Sequence, residues 1–303
     1  MANRLGKSPW QMLSVYTLAI LALGPITGQQ YDIFPAIISL AAVYFFRLGK
    51  HKTAWALLAL GALTKIYPAA IAPVFLIYYI QKRQYRPLRS GILTFAVVSL
   101  AVLLPFLITD PASLGSLYNY HGYRGIQLES TYSSFLLLGN QLGWLEVGTG
   151  FSFGSWNLVG PVADTVAKIS VLLLPLSLTA AYWLIYRRMK EASNPLHEIA
   201  HYSLLVVAVM IATSKVMSPQ YFIWLCPLVP LFSGRFRYAL WAIFIAIGAL
   251  TYYIFPLHYQ ELIDLKSGAI AALLARNLLV IAIIPLLIVL QHHIRRSESS
   301  EVE

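Results

Sequence analysis

Long apolar stretches, separated by short polar or proline-bearing breaks, set the pattern of this chain. The runs near 10–27, 33–46, 53–64, 68–80, 91–108, 169–186, 199–214, 220–234, 238–256 and 268–290 each read as a membrane helix or half-helix. A full span needs roughly 20 apolar residues. Several runs are shorter, and two pairs meet at a lysine followed by a proline. One break is Thr64-Lys65-Ile66-Tyr67-Pro68, and the other runs from Ser214-Lys215 to Ser218-Pro219. The pattern predicts an all-α polytopic transmembrane bundle of about 10 spans, some half-length, broken at Lys65–Pro68 and Lys215–Pro219. Residues 1–290 form a single transmembrane domain, and 291–303 form a short polar tail.

Composition agrees. The 303 residues are 58% hydrophobic and only 11% charged, where soluble domains carry about 25% charged residues. The first apolar run follows Arg4 and Lys7 but lacks an Ala-x-Ala site, and Gly24-Pro25 ends it, so it reads as an uncleaved span. The single cysteine, Cys226, lies in an apolar run, which excludes a disulfide framework.

The formal charge of +10 does not point to nucleic acid. With the N-terminus cytoplasmic, the inner segments collect Arg4, Lys7, Arg47, Lys50, Lys52, Lys82, Arg83, Arg86, Arg89, Arg187, Arg188, Lys190, Arg235, Arg237, Arg295 and Arg296. That asymmetry follows the positive-inside rule. It predicts an integral, multi-pass plasma (inner) membrane protein with both termini cytoplasmic. Region 53–80 is basic on both flanks, so both ends are cytoplasmic, and two short helices meeting at Lys65–Pro68 satisfy this. Lys65 and Lys215 then lie below the outer surface.

The one large loop, 109–168, falls on the outer side. It holds His121 and Arg124, then Glu129-Ser130, then an apolar piece from Thr131 to Leu145 suited to lie along the membrane surface. A Gly/Ser/Trp-rich segment with turn character follows.

No P-loop, Gly-x-Gly-x-x-Gly, Cys-x-x-Cys or His-Glu-x-x-His occurs, and no carboxylates have metal spacing. No cofactor or metal is expected. Lys65 and Lys215 are the sharpest candidates. An unpaired lysine at mid-bilayer costs about 2.5–3.5 kcal/mol, and a half-helix start after a break favours an anion. An anionic lipid phosphate fits both; snorkelling to the interface is the plainer alternative. His121, Arg124, Glu129 and Ser130 form a second candidate set, in which arginine can grip phosphate in bidentate fashion and a carboxylate can accept a proton. Arg276 is either a third phosphate contact or an interface anchor. Asp32 is a conceivable general base, but an exposed helix N-cap is the commoner use of aspartate there.

Gly28-Gln29, Thr64-Lys65-Ile66-Tyr67-Pro68, Arg124-Gly125-Ile126-Gln127-Leu128-Glu129-Ser130 and Ser218-Pro219-Gln220-Tyr221 occur in an order that resembles the bacterial polyprenol-phosphate-mannose-dependent α-mannosyltransferases of the glycosyltransferase C fold. The resemblance covers about Leu21 to Arg237. It implies transfer of a sugar from a polyprenyl phosphate, with inversion, to a lipid or glycan acceptor on the outer face. On that basis Lys65, Lys215, His121 and Arg124 hold the donor phosphate, while Tyr67, Gln220 and Tyr221 line the pocket. Members of the fold carry an extra first span and an outer loop with an acidic base. Here the first outer loop is only Ile26 to Asp32, which implies that Asp32 or Glu129 serves as base, or that a partner polypeptide supplies the missing part, or that the chain is an inactive subunit. From another class, a transporter or flippase of an anionic lipid also uses broken helices, although no internal repeat supports it.

Overall fold

The computed structural model describes residues 8–110, 112, 115, 122–192, 195–232 and 236–300, so His121 lies outside the described residues. Helices α1 (Pro9–Leu23), α2 (Ile26–Gln29), α3 (Ile33–Arg47), α4 (His51–Thr64), α5 (Ala72–Gln81) and α6 (Tyr85–Thr109) come first. After them come α7 (Thr131–Gln141), a hairpin of β1 (Gly148–Ser152) and β2 (Ser155–Val159), then α8 (Pro161–Glu191) and α9 (Pro195–Thr213). The last helices are α10 (Arg237–Tyr252), α11 (Tyr259–Ile263) and α12 (Ser267–Ser300).

Four segments are long and apolar enough to cross a membrane: Tyr85–Thr109, Pro161–Glu191, Arg237–Leu257 and Ser267–Val289. Shorter apolar helices cover Pro9–Leu23, Ile33–Arg47, Tyr67–Gln81 and Glu198–Thr213. The molecule is a predominantly helical membrane protein, with four full-length candidate spans and several shorter apolar helices among the described residues.

Run 220–234 corrects the expected pattern most sharply. It is not a span. Prolines 219, 227 and 230 remove backbone donors and clash with the preceding turn, so the chain forms two short 3₁₀ turns, Pro219–Trp224 and Val229–Leu231. Phe222, Ile223, Leu225, Cys226, Leu228 and Val229 are all buried in the main core. The first break behaves as expected: α4 stops at Thr64, Lys65 is extended, and a 3₁₀ turn over Tyr67–Ile71 leads into α5. Helices α4 and α6 pass so closely that a Cβ on Gly91 would sit 2.2 Å from Trp55 Nε1. Small residues permit such approach in membrane bundles, where packing rather than water exclusion holds helices together.

At one end of the bundle a second core departs from the all-α expectation. The Gly/Ser/Trp-rich segment is an antiparallel hairpin pairing Gly148 with Val159 and Ser152 with Ser155. Its two-residue turn has positive φ at Phe153 (51°) and Gly154 (68°), the handedness that matches strand twist. The piece from Thr131 is a helix packed into this second core. As α7 it buries Leu136 and Leu137 with Leu158, Leu262, Ile270 and Leu273. Tyr132 donates to the Thr213 carbonyl at 2.8 Å, satisfying an orphan acceptor at the end of α9.

Candidate active site

Three polar clusters converge on the Pro219–Trp224 turn. Side chains three apart eclipse in a 3₁₀ helix, so Ser218, Tyr221 and Trp224 form one row, with Phe222 on another side.

In the first cluster, Asp32 is fully buried. Lys65 Nζ donates to its Oδ1 at 2.7 Å, and Trp224 Nε1 donates to the same oxygen at 2.5 Å. Oδ2 is also buried and has no hydrogen-bond partner among the described residues. Asp32 precedes α3 but makes no side-chain capping bond, so the exposed-cap reading is replaced by a buried ion pair. Lys65 retains 18% exposure. Its ammonium lies 4.9 Å from the Tyr31 ring centre and 5.6 Å from those of Tyr221 and Trp224, within cation–π range. Tyr67 is buried and stacked on Trp224 at 4.2 Å, with Ser39 Oγ 3.2 Å from its hydroxyl.

The second cluster surrounds Lys215. Gln127 N donates to the Lys215 carbonyl at 3.0 Å, and Leu158 N donates to the Ile126 carbonyl at 2.8 Å. Segment 124–130 is thereby laced between the hairpin and the second helix break, which sets Arg124 beside Lys215. Each cation contacts a neutral oxygen: Lys215 Nζ donates to the Gly122 carbonyl (3.1 Å), and Arg124 Nη2 donates to Ser155 Oγ (2.7 Å). Burial pushes the Lys215 ammonium below the usual lysine range, and the Arg124 charge pushes it further. Gln127 Nε2 donates to Ser218 Oγ at 3.0 Å and ties this cluster to the row. Gln220 is half-buried on the same turn.

The third cluster is closed. Glu129 and Arg276 are both buried and bonded, with Nη1 to Oε2 at 2.8 Å and Nη2 to the Glu129 carbonyl at 2.5 Å. Burial pushes the Glu129 carboxyl up, against the opposing pull of Arg276. Asn277 Nδ2 donates to the carbonyls of Glu129 (3.2 Å) and Ser130 (3.1 Å). The Ser130 hydroxyl accepts from Ser133 N at 3.2 Å as the N-cap of α7. Arg276 is thus buried with its guanidinium bonded to Glu129 and Asn277, and the Ser130 hydroxyl is engaged in capping.

Sequence reading missed Trp224 and Tyr31. The first stands three residues after Tyr221, the spacing of a 3₁₀ row; the second adjoins Asp32. Neither is marked by charge.

The breaks in the helices thus gather an acid paired with Lys65, a neighbouring Lys215–Arg124 pair and a stack of aromatic rings. Residues 1–219 match the profile of glycosyltransferase family 87, and the chain belongs to that family of membrane glycosyltransferases, which is of the glycosyltransferase C type. Comparison with curated proteins and with solved structures returned no match.

Proposed function

We propose that the protein moves a sugar, mannose or another hexose or pentose, from a polyprenyl-phosphate donor to a lipid or glycan acceptor on the extracytoplasmic face of the plasma membrane. The observation that carries this reading is the placement of Lys215 beside Arg124: Gln127 N holds the Lys215 carbonyl at 3.0 Å, Lys215 Nζ reaches the Gly122 carbonyl and Arg124 Nη2 reaches Ser155 Oγ. An anion placed between the two like charges relieves their repulsion, and a donor phosphate is the anion this family's chemistry offers.

In the reaction, an acceptor hydroxyl attacks the anomeric carbon. The bond from that carbon to the phosphate oxygen breaks, with inversion, and the electron pair leaves on the phosphate. Lys215 and Arg124 stabilise the charge that develops there, and Asp32 Oδ2 takes the hydroxyl proton. Lys65 is occupied by Asp32, so its part is to hold the base rather than the phosphate. Gln220 and Tyr221 border the sugar. Glu129, sealed against Arg276, is not the base.

Binding of a short-chain polyprenyl phosphate to the purified protein in nanodiscs tests the phosphate site. Lys215→Ala and Arg124→Ala each weaken it, while Glu129→Gln leaves it within about twofold of wild type. Unchanged affinity in both cation variants would retire the site.

A further inference from the structure

Trp224 lies at the centre of a three-ring stack. Tyr67 covers one ring contact at 4.2 Å with the planes 7° apart, and Tyr221 makes another at 4.0 Å and 23°. The indole is 2% exposed. Stacking fixes the direction of its N–H, and that N–H points at Asp32 Oδ1, the oxygen already bonded to Lys65. Both donors therefore use one carboxylate oxygen, and Oδ2 is left unbonded in a buried setting. A buried polar atom without a partner is uncommon in folded proteins, and such atoms mark strain or function.

We infer that Trp224 is a positioning residue for the reaction: its stacked indole N–H, with Lys65, pins Asp32 by Oδ1 so that Oδ2 is presented to the acceptor hydroxyl. The inference rests on the reading of Asp32 as the base. Two donors on one oxygen fix the carboxylate plane more firmly than Lys65 alone, because the lysine stem is flexible and the stacked indole is not. The titratable groups that face this carboxylate and the two donors bonded to it are Lys65, Tyr31 and Tyr221 around the ammonium and Tyr67 on the indole. Lys65 is bonded to the carboxylate at 2.7 Å.

The test uses the full chain in nanodiscs, polyprenyl-phosphate mannose as the probe donor, and three changes. Asp32→Asn tests the base itself. Trp224→Phe keeps a stacking ring and removes the N–H. Replacing Trp224 with benzothienylalanine keeps the bicyclic shape, and hence the stack, with sulfur where the N–H was. The inference predicts a fall of at least tenfold in kcat for both Trp224 variants, with donor KM within about twofold. A purely structural tryptophan would leave kcat per folded molecule at the wild-type value in the benzothienylalanine protein, which keeps the stack. If Trp224→Phe fails to fold, the benzothienylalanine protein decides alone. Wild-type kcat in that protein would overturn the inference even with Asp32→Asn inactive. Full transfer by Asp32→Asn, or none by wild type, would instead remove the base reading itself.

Discussion

Removing the Glu129 carboxylate should destabilise the fold without touching the chemistry. Arg276 is wholly buried, and Glu129 is 1% exposed. The guanidinium makes one charge-assisted bond to the carboxylate, one to the Glu129 carbonyl and one from Nε to Asn277 Oδ1 at 3.0 Å. Glu129→Ala leaves the last two and strands a positive charge where water cannot reach it. Breaking one side of a buried pair costs about 3–5 kcal/mol. The Phe222 ring, 5.5 Å from the guanidinium, recovers only a small part of that. Glu129→Gln retains an acceptor and loses the charge, so its cost should fall near 2 kcal/mol, the range of a hydrogen bond to a charged group. A double change, Glu129→Leu with Arg276→Met, removes both ions and should recover most of the loss. Denaturant unfolding in mixed micelles, followed by near-ultraviolet circular dichroism, reads all three. Sugar transfer per folded molecule should stay near wild type in Glu129→Gln. A Glu129→Ala cost below about 1 kcal/mol, or a Glu129→Gln protein that is stable but inactive, would refute the view of this pair as a structural clamp.

Other outcomes follow from the same geometry. Polyprenyl-phosphate affinity should decline with rising pH, starting below the ordinary lysine value of 10.5, because Lys215 is held below it and binds phosphate only when charged; Lys215→Arg should flatten that decline, as measured by titration from pH 7 to 10. Gly91→Ala pushes a methyl into the Trp55 indole; overpacking costs about 1–3 kcal/mol, read as a lowered thermal midpoint with donor affinity per folded protein retained. Ser130→Ala removes the cap of α7 and should cost about 1 kcal/mol, with no change in donor affinity.

Much of the plan is legible along the chain. The membrane class follows from apolar runs that no soluble core needs, and the break at Lys65–Pro68 follows from a proline and from basic residues on both flanks. Run 220–234 was not legible. Lipid and a protein interior select the same residues, and only Pro219 just before it and Pro227 and Pro230 within it hint that no helix continues. The hairpin was obscured because its strands are short and rich in glycine and serine, which local pattern reads as turn. The site was half legible. Lys65, Lys215, Arg124 and Asp32 stand out as charges in apolar or loop settings. Their pairings do not, since Lys65 meets Asp32 across 33 residues and Arg276 meets Glu129 across 147. Such distant contacts are decided by packing. Asp32 thus looks like an exposed cap until the fold brings Trp224 and Lys65 to it.

The most direct test of the central claim is sugar transfer itself. Purified wild-type protein in nanodiscs is given radiolabelled polyprenyl-phosphate mannose and a membrane-extract acceptor, beside Asp32→Asn and Lys215→Ala. The account predicts labelled product with inverted anomeric configuration from wild type. Asp32→Asn should fall by about 10²–10⁴, the usual contribution of a general base, while still binding polyprenyl phosphate. Lys215→Ala should lose both transfer and binding. Undiminished transfer by Asp32→Asn and Lys215→Ala would contradict the account.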